Sequence, residues 1–177
     1  KINNMDKYEL INDNRFSLSD IPVGWLKSEK HLIQRDCYDN NTEHIDKERM
    51  QAWFDHLEYP IYHLDFETFP CPLPRFEGES PYTQSCFEFS LHKDCGGFYG
   101  CDMINDNVVF LNADFDTDER LDLVDALMKA FDFNADGTLK GTMLAQNTHF
   151  EKSRLEELAR VFPAYSQKLL AIRDMSA

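Results

Sequence analysis

Ile61-Tyr62-His63-Leu64-Asp65-Phe66-Glu67 is the stretch that decides the fold. It is rich in β-branched and aromatic residues and follows Pro60, which closes the segment before it, so it reads as a strand. Side chains alternate across a strand, so Asp65 and Glu67 share one face while Leu64 and Phe66 share the other. Two carboxylates held that close repel each other unless a cation neutralises them.

On its N-terminal side, residues 1–43 read as an irregular, Asn/Asp-rich lead-in with short apolar patches such as Ile21-Pro22-Val23-Gly24-Trp25-Leu26. From Asp46 the pattern turns helical, with Met50, Trp53, Phe54 and Leu57 at i, i+3, i+4, i+7, and Pro60 ends the run. Residues 1–58 are thus expected to form an N-terminal arm ending in a helix. On the C-terminal side, residues 70–85 carry four of the seven prolines and Gly78, and read as an ordered loop. Phe87 to His92 reads as a second strand, and Val108-Val109-Phe110-Leu111 as a third. Asp118 to Phe131 reads as a helix with Leu121, Val124, Leu127, Met128 and Phe131 on one face. Thr142-Met143-Leu144-Ala145 reads as a short buried strand. Two more helices follow, His149 to Phe162 and Tyr165 to Met175. The order β-β-β-α-β-α-α implies an antiparallel meander with a fourth strand, reached through a helix, lying parallel to the first. This is an α/β domain over residues 59–177, a mixed sheet with helices packed on it, short of one late element. With Lys1 at its start and no signal peptide, the stretch is expected to be part of a longer chain.

Composition narrows the function. The 177 residues are 42% hydrophobic, with 14 Phe and only 7 Gly and 7 Pro, which excludes collagen-like and wholly disordered chains. No run of 18 apolar residues exists, so no membrane partner is expected. Five Cys at irregular spacing point to a reducing cytoplasm rather than a disulfide framework. The span His92 to Cys101 lacks the short Cys-x-x-Cys spacing of structural zinc. The net charge of −14 is concentrated in residues 59–149, whose balance is −11. Such a surface does not attract a polyanion unaided. The exception is a carboxylate cluster whose bound divalent metal meets phosphate. Asp65, Glu67 and Glu151 are the candidates, Glu151 standing where a short strand runs into a helix. Three carboxylates would make an oxygen-rich site for Mg²⁺ or Mn²⁺, of the kind that supports two-metal phosphodiester hydrolysis. Asp132-Phe133-Asn134-Ala135-Asp136-Gly137 matches the first half of a calcium loop. Its twelfth position is Met143 rather than Glu, so a polar turn with Gly137 at positive φ is expected instead.

Asp65-Phe66-Glu67-Thr68 resembles the first motif of the DEDD (DnaQ-like) 3′–5′ exonucleases, and Gln146-Asn147-Thr148-His149-Phe150-Glu151 resembles their second, usually His-Asn-x-x-Phe-Asp. More narrowly, HLDFETFPCPLPRFEGESPYTQSCFEFSLH (63–92) with NTHFEKSRLEELARVFPAY (147–165) resembles an uncharacterised bacterial family assigned to the ribonuclease H-like fold. The resemblance implies a metal-dependent 3′–5′ exonuclease-type nuclease on single-stranded DNA or RNA. Asp65, Glu67 and Glu151 would bind Mg²⁺ or Mn²⁺, with Thr68, Phe69, Asn147 and Phe150 beside the substrate, Phe69 where a terminal base stacks. It also implies a RecB-like nuclease region in the same full-length chain. Two departures stand out: the second-motif acid is Glu151 where Asp is usual, and no third motif is recognisable by Ala177, Asp174 falling too early. The general base and fourth carboxylate are therefore expected to be missing from this stretch, leaving cleavage poor. The alternative is a non-catalytic nucleic-acid-processing or interaction module that retains the fold.

Overall fold

The computed structural model describes residues 4–97 and 107–177, and the chain divides into two compact units, Lys1–Trp53 and Phe54–Ala177. The expected irregular lead-in is instead largely helical: α1 spans Asn4–Asn12, two short 3-10 turns span Leu18–Asp20 and Val23–Trp25, and α2 spans Glu29–Asn40. These helices escape a reading based on apolar period because α2 has no fully buried residue. Caps and one arginine hold α2 in place. Ser28 accepts from the His31 N–H at 3.3 Å, and Asn41 closes the helix in the left-handed region at φ 51°. Arg35 donates to the carbonyls of Leu18 (2.9 Å), Ser19 (2.7 Å) and Ile21 (2.6 Å) and pairs with Asp39, tying α2 to the first 3-10 turn. The next helix, α3, spans Lys47–Phe54 and ends well before Pro60, so Leu57 lies outside it.

In the second unit the strands are β1 (Ile61–Pro70), β2 (Gln84–Asp94), β3 (Asn107–Leu111) and β4 (Thr142–Leu144), in the order β3-β2-β1-β4. β1 and β3 run antiparallel to β2, and β4 runs parallel to β1, as the element order implies. Helix α4 (Arg120–Ala130) joins β3 to β4; α5 (Thr148–Val161) and α6 (Ser166–Asp174) then return the chain to the far side of β4. There Ser176 makes a parallel bridge with Met143, whose N–H donates to Met175 O at 3.1 Å and whose carbonyl accepts from Ala177 at 3.1 Å. Both crossovers advance in one direction across the sheet, and a common right-handed sense sends their helices to one face. Burial agrees. Leu64, Phe66, Phe89 and Leu91 are buried with Leu123, Leu127, Leu155, Leu158, Leu169 and Ile172, whereas His63, Asp65, Glu67, Val109 and Leu111 are exposed on the other face. The inward face of α4 keeps Val124, Leu127 and Phe131 of the expected stripe but differs at its start. Arg120, Leu123, Val124 and Leu127 face in, and Leu121 stays 45% exposed. Arg120 occupies the first inward position because it meets Asp118 (2.7 Å) and Glu77 O (2.9 Å) there, which no apolar period reveals.

Gly141 explains the sharp entry to β4. At φ +85° a Cβ would lie 1.9 Å from the carbonyl oxygen of Pro60, so only glycine lets the two backbones approach. Tyr62, fully buried on β1, accepts a hydrogen bond from the Asp132 N–H at 3.0 Å, and burial raises its phenol well above the usual range. Removing that hydroxyl strands the Asp132 N–H. Tyr62→Phe is therefore expected to lower stability by about 1 kcal/mol in urea unfolding, and an unchanged midpoint would show that solvent replaces the bond.

Among the described residues no helix is long and apolar enough to cross a membrane. Cys37, Cys71 and Cys86 carry free thiols, but Cys95 is disulfide-bonded, contrary to the expected fully reduced set. Cys101 and the rest of the Cys-rich span from residue 98 lie outside the described residues.

Candidate active site on the open sheet face

Strand alternation places Asp65 and Glu67 on the open face, as the sequence implies. β4 pairs with β1 only at Ile61–His63, so beyond Leu144 the edge of β1 is left to the start of α5. Asn147 caps that helix: its Oδ1 accepts from the Phe150 N–H at 3.4 Å. One turn in, Glu151 points back to β1 and is only 2% exposed. Its Oε2 is buried with no hydrogen-bond partner among the described residues. Burial and then the Asp65 charge push its carboxyl up to about 7, with Glu67 adding to the rise; the Phe66 N–H and the Arg154 guanidinium oppose it. The three carboxylates are thus electrostatic neighbours, and the first turn of α5 carries the one that is buried. Because Asn147 fixes where α5 starts, Asn147→Ala is expected to cost about 1 kcal/mol of stability, read from thermal unfolding; an unchanged Tm would mean that the cap contributes nothing here.

The other expected site residues are more dispersed. Thr68 Oγ1 donates to Gln84 Oε1 at 2.7 Å, which turns it toward β2. Phe69 is 48% exposed, and alternation puts it on the same face as the acids. Phe150 is half-buried against the core under Arg154, whose guanidinium lies 5.3 Å from the ring centroid. That guanidinium also donates to Gln84 O (2.6 Å) and Glu157 (2.7 Å). His149 is exposed. The acidic turn at Asp132 is engaged otherwise: Asp132 pairs with Lys93 at 2.8 Å, Asp136 accepts from the Thr138 N–H and hydroxyl, and Gly137 takes φ +87°.

Sequence reading missed the ring of Phe115. A β-bulge at Glu67/Thr68 leaves Phe87 as an extra residue on β2, and its ring lies 6.3 Å from that of Phe115, which lies 6.3 Å from Phe69. Nothing in the spacing of Phe69, Phe87 and Phe115 announces that they meet.

Three carboxylates, one with a buried orphan oxygen, are the donor chemistry of a hard divalent cation. The side chains are not gathered as ligands, however: among the described residues no group of three or more His, Cys, Asp or Glu is placed to hold a metal ion. The model of a domain of unknown function, DUF2779, matches residues 62–176, which include β1 from Tyr62, all of the later strands and the turn bearing Glu151. The chain belongs to the DUF2779 family. No curated protein and no solved structure matches it. The DUF2779 domain thus begins inside β1 and ends at Ser176, the residue bridged to Met143, and the helices before β1 fall outside it.

Proposed function

We propose that the DUF2779 domain is a divalent-metal-dependent phosphodiester hydrolase of the ribonuclease H-like fold, a 3′–5′ exonuclease-type nuclease acting on single-stranded DNA or RNA. The observation that carries this reading is the buried Oε2 of Glu151, unpartnered beside Asp65. A buried carboxylate with one oxygen lacking a donor, next to two further acids, is destabilising unless a cation compensates it. The strand order β3-β2-β1-β4, with a parallel bridge beyond β4, supports the fold assignment.

Asp65, Glu67 and Glu151 would hold Mg²⁺ or Mn²⁺, with Asp65 and Glu67 turning toward Glu151 from the open face. Such ions, when bound, supply an activated water and stabilise the leaving oxygen. The chain's own residues do the positioning. Asn147 sets the start of α5, the Phe66 N–H steadies the Glu151 carboxylate, and Arg154 lies over the Phe150 ring. With a balance of −11 over residues 59–149, the surface relies on bound cations to admit a phosphodiester. The test is cleavage of end-labelled single-stranded DNA and RNA with Mn²⁺, wild type against Asp65→Asn.

The second reading is a non-catalytic module that retains the fold, and it is favoured by one observation: the carboxylates are not gathered as metal ligands. Absence of cleavage of both substrates by a chain that also carries the third motif, with strand binding intact, would select it.

A further inference from the structure

Three rings from three separate segments converge on the open face beside the carboxylates. Phe69 comes from the end of β1, Phe87 from the bulge in β2, and Phe115 from the turn after β3. Phe69 and Phe115 are 48% and 56% exposed and meet edge to face at 6.3 Å, which leaves π-surface open to solvent. The turn that presents Phe115 is internally braced. The Asn112 N–H donates to Phe87 O at 2.8 Å, Asn112 Nδ2 to Thr117 O at 3.1 Å, the Asp114 N–H to Asn112 Oδ1 at 2.8 Å, and Thr117 Oγ1 to Asp114 at 2.7 Å. Arg75, from the Pro-rich loop, lies over Phe69 at 5.6 Å and over Phe76 at 4.9 Å. Among the described residues it makes no salt bridge, so its charge is not neutralised by direct pairing.

We infer that Phe115, Phe87 and Arg75 extend Phe69 into a stacking platform for the unpaired bases of a single strand, with Arg75 meeting its phosphate. The inference rests on the nuclease reading for the direction in which the strand leads, toward Asp65 and Glu67. Every base has a π-face, so rings held rigid and exposed beside a cation accept a single strand regardless of sequence. A duplex offers no such faces, because its bases are already stacked. Arg75 is one of only five basic residues in residues 59–149.

The experiment is fluorescence anisotropy of a labelled oligothymidine and of its abasic counterpart, at low salt with Ca²⁺ present, using the 177-residue chain. Wild type is expected to prefer the base-bearing strand. Phe115→Ala should bind that strand about 10-fold more weakly and lose the preference, whereas Phe115→Trp should keep both. Phe115 is exposed in a turn, so an unchanged Tm certifies that the variant is folded. A wild type that binds neither strand, that binds both equally, or that takes a proline-rich peptide more tightly than either overturns the platform. So does a Phe115→Ala variant that matches wild type. The two readings separate cleanly: base-dependent binding without cleavage by any metal, in a chain that also carries the third motif, removes the nuclease and keeps the platform. Cleavage whose KM is indifferent to Phe115→Ala does the reverse.

Discussion

Glu151→Gln is expected to make the metal-free protein more stable at pH 8, by roughly 3 kcal/mol at 1.36 kcal/mol per pH unit. The folded state holds the Glu151 carboxyl at about 7 against an ordinary 4.5, first through burial and then through the charge of Asp65. Between those two values the folded protein retains a proton that the unfolded chain has released, so stability falls as pH rises through the window and levels off above it. Glutamine has nearly the same shape and no charge to bury. The variant should therefore match wild type near pH 4.5 and pull ahead progressively up to pH 7 and beyond. Glu79, Asp118 and Asp132 are held below their usual values by hydrogen bonds and by Arg120 or Lys93, and so stabilise at neutral pH and cease to do so in acid. That contribution is common to both proteins and cancels in their difference. Urea unfolding at pH 5 and pH 8 measures it. Mn²⁺ at a hundred times its Kd should return about 2.7 kcal/mol to wild type and much less to the variant. A variant less stable than wild type at pH 8 would mean that the Glu151 carboxylate already has its compensation within the fold.

How far the sequence leads depends on which physical signal each part carries. β1 was legible because its two faces face different media: Leu64 and Phe66 enter the core while Asp65 and Glu67 stay out, and that contrast is written at period two. The parallel pairing of β4 followed from the intervening helix alone. α1 and α2 were not legible, since neither carries an apolar stripe and α2 is held by its caps and by Arg35. The different start of the inward face of α4 has a similar origin, an inward Arg120 that reads as polar but is satisfied by Asp118 and the Glu77 carbonyl. At the site, the acids were legible as residue types at motif spacing. The burial of Glu151 was not, because it depends on where β4 stops and which part of β1 that leaves to α5. Phe115 was least legible of all. Its position is set by side-chain hydrogen bonds within residues 112–117 and by a bulge two strands away from it in sequence, neither of which has a period.

In a chain that also carries the third motif, Asp65→Asn is expected to lower Mn²⁺-dependent cleavage of a labelled single strand by a factor of about 10² to 10⁴. Ion-mediated stabilisation of transition-state charge is worth several kcal/mol, and each 1.36 kcal/mol is tenfold in rate. Asparagine keeps the size of the side chain and its place on the exposed face of β1, so the fold has no reason to respond; what it loses is the negative charge that both attracts the cation and raises the Glu151 carboxyl. The substitution therefore makes two changes of opposite sign. It weakens the metal-bound state, and it relieves the metal-free one by removing a repulsive neighbour of Glu151. A residue that only maintained structure would lower activity and Tm together. Asp65→Asn should lower activity while the metal-free Tm at pH 8 stays level or rises, and the Tm gain on adding Mn²⁺ should shrink. The rate and the two melting temperatures are measured on the same preparation, with both DNA and RNA as substrate. Cleavage equal to wild type would remove Asp65 from the site and leave Glu67 and Glu151 without their nearest partner. Cleavage lost together with a lower metal-free Tm would recast Asp65 as a structural residue of β1.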